Sequence, residues 1–147
     1  MPSRHWGFTL IEMLVVMVIL VLAYAMTAPM ISAGVSGAEL KASARQIAAG
    51  LRKARSEAVA HKNETTLTVD VERRQFELSG DKRIYLLPEK TVVNLFTAQS
   101  ELMDAKTGSI RFYPDGSSTG GRVTLSRDER KYMVDVDWMT GRVKILD

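Results

Sequence analysis

The sequence predicts an α+β protein, because three hydrophobic patterns follow one another along its 147 residues. Residues 8–31 are apolar except for a single charge, a pattern typical of a helix with apolar surroundings on all sides. Residues 40–58 repeat apolar side chains at helical spacing, which indicates an amphipathic helix. Residues 65–146 contain short alternating runs between turn signals, which are typical of strands. Two collinear helical segments followed by seven or eight strands define the predicted class.

The first helical segment is long enough to cross a membrane. As a helix, residues 8–31 would extend roughly 36 Å at about 1.5 Å per residue, and a bilayer core is about 30 Å thick. Arg4 precedes the segment, and positive residues beside an apolar segment tend to stay in the cytoplasm. We therefore expect a cytoplasmic N-terminus. Pro29 should kink the helix, because its ring clashes with the carbonyl of Ala25 and it lacks a backbone donor.

Glu12 is the only charged residue of this segment. A carboxylate that faces lipid costs a few kcal/mol, so Glu12 should lie near an interface or have a partner. The expected partner is a positive charge from another chain.

The second helical segment should pack against the chain's own sheet. Its apolar residues recur at spacings of 4, 3, 4, 3 and 4, and they are Leu40, Ala44, Ile47, Leu51, Ala54 and Ala58. The basic residues of the other faces could instead meet acidic neighbours or lipid headgroups. The patterns together predict four parts, which are residues 1–7, 8–31, 32–63 and 64–147.

Strand signals begin after residue 64. Alternation and turn residues predict strands at residues 66–71, 75–78, 83–87, 91–96, 109–113, 122–125, 132–138 and 142–146. We interpret residues 97–108 as a long loop. Trp138 should cover one edge of the core.

Chemistry-bearing residues are sparse. The chain has no cysteine, which excludes disulfides, zinc thiolate sites and thiol catalysis. Beyond residue 7 the only histidine is His61, so a Ser-His-Asp triad and a histidine metal site lack partners. The glycine-rich residues 114–121 contain no lysine and precede a strand, unlike a phosphate-binding loop. A carboxylate pair drawn from Asp70, Asp135 and Asp137 stays open, although such residues more often line a solvent face. We predict no enzyme activity, no cofactor, no metal site and no small-molecule substrate.

The net charge of +3 is only mildly basic, so nucleic acid is not the expected partner. The alternative of DNA binding depends on basic residues near the C-terminus, which are Arg122, Arg127, Arg130, Lys131, Arg142 and Lys144.

Two parts of the chain resemble a known family. Residues 7–12, Gly-Phe-Thr-Leu-Ile-Glu, resemble the recognition sequence of type IV pilin-like proteins. Residues 112–125 and 136–143 are similar to the C-terminal half of the H-type minor pseudopilins of the type II secretion system. The resemblance implies a long N-terminal helix packed on a small antiparallel β-sandwich. It also implies cleavage after Gly7 by a prepilin peptidase and methylation of Phe8.

The same resemblance implies a role in assembly. Glu12 would pair with the amine that cleavage exposes at Phe8 of a neighbouring subunit. The protein would be a single-pass inner-membrane protein with a periplasmic C-terminal domain. It would work near the tip of a filament, beside the major pseudopilin and other minor pseudopilins, and assist export of folded proteins across the outer membrane.

Two alternatives remain open at this point. The chain could be a minor pilin of a type IV pilus that binds DNA. It could also be a periplasmic protein released by signal peptidase after Ala25, with residues 13–22 as the apolar core of a signal peptide.

Overall fold

Helix α1, Leu10–His61, runs from the first predicted helical segment into the second without a break. The computed structural model describes residues 9–104 and 106–147, except for the side chains of residues 26–36. Pro29 belongs to that exception, so the kink stays a prediction. Among the described residues, no helix combines the length and apolar character needed to cross a membrane. The chain divides into two units, Met1–Ser36 and Gly37–Asp147, and each is considered by itself.

The second unit begins with the remainder of α1. All six residues of the predicted apolar stripe are buried there, and Ala48 joins them. The helix ends at His61, and Lys62 follows with a φ of 56°. A residue in the left-handed region directly after a helix is a common helix stop. The predicted packing of the stripe against the rest of the chain is confirmed.

Eight strands follow α1 and form two antiparallel sheets. Sheet A has the order β3-β2-β1-β5 and sheet B the order β4-β6-β7-β8. The strands are β1 Thr65–Asp70, β2 Gln75–Leu78, β3 Ile84–Leu86, β4 Val92–Thr97, β5 Thr107–Phe112, β6 Gly121–Arg127, β7 Arg130–Val136 and β8 Val143–Leu146. The predicted α+β fold, a long helix packed on antiparallel sheets, is confirmed.

One core joins α1 to both sheets. It takes alternate side chains from the strands, such as Leu67 of β1, Ile110 of β5 and Val123 of β6. Gly50 brings the helix close to sheet A, because an added Cβ would lie 3.1 Å from Leu67 and 3.2 Å from Phe76. Burial of these apolar faces is the main stabilisation of the unit.

The segment predicted as a long loop is partly ordered by polar contacts. It contains a short 3₁₀ helix, Gln99–Glu101. The buried carboxylate of Glu101 accepts hydrogen bonds from the Ser109 hydroxyl at 2.8 Å and from Arg111 Nε at 3.1 Å. Arg111 also donates to Glu64 at 2.7 Å. The guanidinium therefore compensates the buried charge and fixes the segment against β5.

The prediction for Trp138 is wrong. β7 ends at Val136, and the next residues form a turn in which Trp138 is 64% exposed. The carboxylate of Asp137 accepts hydrogen bonds from the N–H groups of Met139 and Thr140. These bonds turn the chain before the strand can continue, so the indole does not reach the core.

Candidate functional site

The N-terminal site is described from Thr9 onward. Gly7 and Phe8 lie outside the described residues, so cleavage and methylation there stay predictions. Thr9 caps the start of α1, because its hydroxyl accepts a hydrogen bond from the N–H of Glu12 at 3.3 Å and its carbonyl accepts one from Met13 at 3.2 Å. Thr-x-x-Glu is the sequence pattern of a capping box, and that signal could have identified Thr9 as the cap.

Glu12 therefore lies in the first turn of α1, where its carboxylate is exposed. A negative charge is favourable at this end of a helix because the backbone dipole is positive there. In the described part of the chain, Glu12 forms no ion pair within 4 Å.

The surface of α1 after Glu12 is apolar and uncovered. Every side chain from residue 9 to residue 25 is exposed. An open apolar depression of about 300 Å³ lies along one side, lined by Leu14, Met17, Val18, Val21 and Leu22. A helix that is apolar all round is stable only when lipid or protein covers it. The chemistry of this surface suits a hydrocarbon or helical partner.

The two turns that carry the C-terminal sequence resemblance meet at α1. Arg55 Nε donates to the carbonyl of Gly116 and to that of Thr140, both at 3.1 Å. The first carbonyl belongs to the β5–β6 connection and the second to the β7–β8 connection. Sequence reasoning missed this role of Arg55, and no local signal could have found it because the partners lie 61 and 85 residues away.

Each of these turns is closed by an aspartate. Asp137 accepts hydrogen bonds from the N–H and the hydroxyl of Thr140, both at 2.8 Å. These bonds, the backbone one first, hold the pKa of Asp137 below its usual value. Asp115 accepts from the hydroxyl of Ser117 at 2.6 Å and from its N–H at 2.9 Å, and the hydroxyl is the main cause of the lowered pKa of Asp115. Both carboxylates act as turn caps.

The candidates for carboxylate chemistry also have structural partners. Asp70 accepts from the N–H of Arg73 at 2.8 Å, and Asp135 accepts from Arg122 at 2.9 Å. His61 lies in the last turn of α1, with Nδ1 3.2 Å from the carbonyl oxygen of Glu57. Within residues 9–104 and 106–147, no three histidines or carboxylates are grouped so that they could hold a metal ion.

The basic residues of the DNA alternative divide into two groups. Arg122 pairs with Asp135 at 2.9 Å, and Arg127 pairs with Glu39 at 3.0 Å. The other four form no ion pair with any described residue, and they are Arg130, Lys131, Arg142 and Lys144. Two of the six charges are therefore neutralised within the chain.

The exposed apolar start of α1, its buried C-terminal stripe and the two antiparallel sheets define a pilin-like protein. Solved structures share this fold. The minor pseudopilin EpsH of Vibrio cholerae matches with a TM-score of 0.59 and 15% identity, over 74% of this chain and 95% of that one. The type IV minor pilin FimU of Pseudomonas aeruginosa matches with a TM-score of 0.57 and 15% identity, over 76% of this chain and 91% of that one.

The sequence comparisons identify the family. The model of the type II transport protein GspH matches residues 43–141, and that of the prokaryotic N-terminal methylation motif matches residues 7–27. The type II secretion system protein H of Xanthomonas campestris pv. campestris is 33% identical over 138 residues, which are 94% of this chain and 81% of that protein. The chain belongs to the GspH family of type II transport proteins.

Proposed function

We propose that this chain is a minor pseudopilin of a type II secretion system. In this role it is a subunit near the tip of a filament that assists export of folded proteins across the outer membrane. Its family and its 33% identity to a type II secretion system protein H support the role. The subunit works by contacts with other pseudopilins and carries out no catalysis.

The proposed life cycle begins in the inner membrane. Residues 1–7 are a leader, residues 8–31 cross the membrane, residues 32–63 continue the helix, and residues 64–147 form the periplasmic domain. A prepilin peptidase cuts after Gly7 and methylates the new terminus at Phe8. The match of residues 7–27 to the methylation motif supports this step.

One observation carries the proposal. Between residues 9 and 25 every side chain is exposed, and Glu12 is the only charge among them. In a neighbouring subunit the positive terminal amine at Phe8 would balance this carboxylate. The Coulomb attraction between the two charges of an ion pair is stronger away from water than at a wet surface. Each subunit thus contributes one half of a pair that assembly completes.

The mass of the mature N-terminus tests the processing step. Loss of residues 1–7 with the gain of one methyl group is expected in cells that contain a prepilin peptidase. Loss of residues 1–25 would instead show release by signal peptidase and would refute membrane assembly. The same cells without the peptidase should retain the leader.

Substitution of Glu12 tests the charge pair. Glu12→Ala should be cleaved normally but should be lost from the filament fraction. Thr9→Ala is the matched control, because it removes the cap of α1, worth about 1 kcal/mol, and keeps the carboxylate. Normal assembly of Glu12→Ala would contradict the pair. Equal losses in the two variants would assign the effect to helix capping instead.

A second candidate is a minor pilin of a type IV pilus. The likeness to FimU, with a TM-score close to that of EpsH, favours it at the level of fold. The four cations that form no ion pair with a described residue would allow phosphate contacts. A gel shift with DNA over a salt series tests the DNA-binding form. Binding that weakens steeply with salt would support it, and no binding at micromolar protein would remove it.

A further inference from the structure

A cavity of about 400 Å³ opens at one end of sheet B. It is lined by Phe96 of β4, Gly121 and Arg122 of β6, and Asp135 and Val136 of β7. One wall is aromatic, and the two neighbouring strands carry an ion pair in which Arg122 Nε lies 2.9 Å from Asp135. The cavity therefore offers an apolar surface next to a charged one.

Glycine occupies two positions in and beside this cavity where the chain is tightly packed. Gly121 has a φ of 153°, and an added Cβ would lie 2.8 Å from the carbonyl oxygen of Phe96. At Gly120, an added Cβ would lie 2.9 Å from the Cβ of Trp138. Gly120 thus lies against Trp138 and Gly121 against the backbone of Phe96, and neither position has room for a side chain.

Both aromatic residues are open to solvent. Phe96 is 78% exposed and Trp138 is 64% exposed. Aromatic and arginine side chains around a cavity are the residues that most often dominate binding between proteins. Both side chains are therefore accessible to an apolar group of a partner.

The charges beside the cavity indicate the chemistry of that partner. The strand register places Phe96, Arg122, Asp135 and Lys144 side by side across four strands. Arg122 and Asp135 neutralise each other, while Lys144 forms no ion pair with any residue that the structure describes. This cross-strand row therefore has one excess positive charge, which complements a carboxylate.

We propose that the cavity and the cross-strand row bind the globular domain of a neighbouring pseudopilin. An apolar side chain of that subunit enters beside Phe96, and a flanking carboxylate pairs with Lys144. The inference rests on the proposed function, because a filament subunit has neighbours along its whole length. The contact is separate from the pair at Glu12. Nucleic acid fits less well, because the row carries only one excess positive charge and phosphate binding depends on several cations.

Photocrosslinking of the full chain in cells that contain the secretion system tests the contact. A photoreactive phenylalanine replaces Phe96 in one variant and Val92 in the control. Val92 is 59% exposed on the same strand and face, about 13 Å away at 3.3 Å per residue. The probe at position 96 should form an adduct with another subunit that has a pilin-like N-terminus. The yield of that adduct from position 92 should be at least about tenfold lower.

The sequence of the crosslinked peptide tests the chemistry that we infer for the partner. It should contain a large apolar residue flanked by aspartate or glutamate. No adduct at position 96, equal adducts at both positions, or an adduct only with nucleic acid or an exported protein would overturn the proposal.

A second measurement distinguishes the failure of this contact from the failure of the proposed function. Phe96→Ala should enter the filament fraction about tenfold less than the wild type, whereas Val92→Ala should match the wild type. If Phe96→Ala enters normally, the contact is wrong while the proposed function stands. If the wild-type chain never enters the filament, the proposed function itself fails. Lys144→Glu should behave like Phe96→Ala, with Lys131→Glu as its control.

Discussion

Two stretches of helix α1 both carry large apolar side chains, but the surroundings of those side chains are opposite. Leu14, in the first stretch, is 55% exposed, whereas Leu51, in the second, is fully buried. The first stretch is residues 10–25, where apolar side chains occupy every face. The second is residues 40–58, where they form one stripe and the other faces are charged. The second stretch is covered by the chain's own strands, whereas every side chain of the first is exposed.

This difference shows which part of the helix contributes to the folding of the domain. A stripe matches the face of one sheet, so a single domain can bury it. An apolar surface on all sides cannot be buried by one sheet, so it is suited to a membrane or to a bundle of helices. The following predictions test that division, beginning with the largest effect.

Leu51→Ala should destabilise the folded domain by about 2–5 kcal/mol, because it leaves a cavity among side chains that cannot fully collapse. Leu14→Ala removes the same atoms from an exposed position and should change the free energy of unfolding by less than about 0.5 kcal/mol. Chemical denaturation of both variants in the same detergent measures the difference. Equal losses would show that the first stretch also supports the fold, and the division would be wrong.

Gly141→Ala should cost about 1–3 kcal/mol of stability. Gly141 has a φ of 60°, and an added Cβ would collide with the carbonyl oxygen of Gly116 in the turn held by α1. Gly80→Ala is the control, because Gly80 has a φ of 87° with no atom within 4 Å of the added Cβ. The control measures backbone strain alone, so the larger fall in the thermal midpoint should belong to Gly141→Ala. An equal fall in the thermal midpoint of both variants would mean that the two turns can separate freely.

Arg55→Ala should lower the free energy of unfolding by about 1–2 kcal/mol, because two carbonyls lose a charged donor that water partly replaces. Arg52→Ala is matched to it in length and charge, and Arg52 donates a single longer bond of 3.4 Å to Val143. The thermal midpoint of Arg55→Ala should lie below that of Arg52→Ala. The reverse order would show that the junction of the two turns does not depend on α1.

The buried stripe of α1 could be predicted from sequence because periodicity records which face meets a sheet. The strands were found for the same reason, with bounds shifted by one or two residues in most cases. Arg55 could not be found, because its partners are brought together only by the fold. Trp138 was misplaced because alternation continues past Val136, while the bonds of Asp137 end the strand. At the N-terminal site, the Thr9 cap had a local signal in Thr-x-x-Glu.

The smallest predicted effect is a pH dependence in the turn held by Arg55. The pKa of Asp137 is lowered in the folded protein, chiefly by the N–H of Thr140, whereas an unfolded aspartate titrates near about 3.9. A lowered folded pKa contributes stability above the unfolded pKa, and that stability is lost as the pH falls through the folded pKa. Asp137→Asn keeps an acceptor oxygen but cannot titrate. Its thermal midpoint should lie below that of the wild type at pH 7, and the gap should narrow below about pH 4. Asp128→Asn removes the same net charge from a different exposed turn, the one between β6 and β7. A gap that stays constant to pH 2 for Asp137→Asn would show that the turn is held by geometry and not by the carboxylate charge.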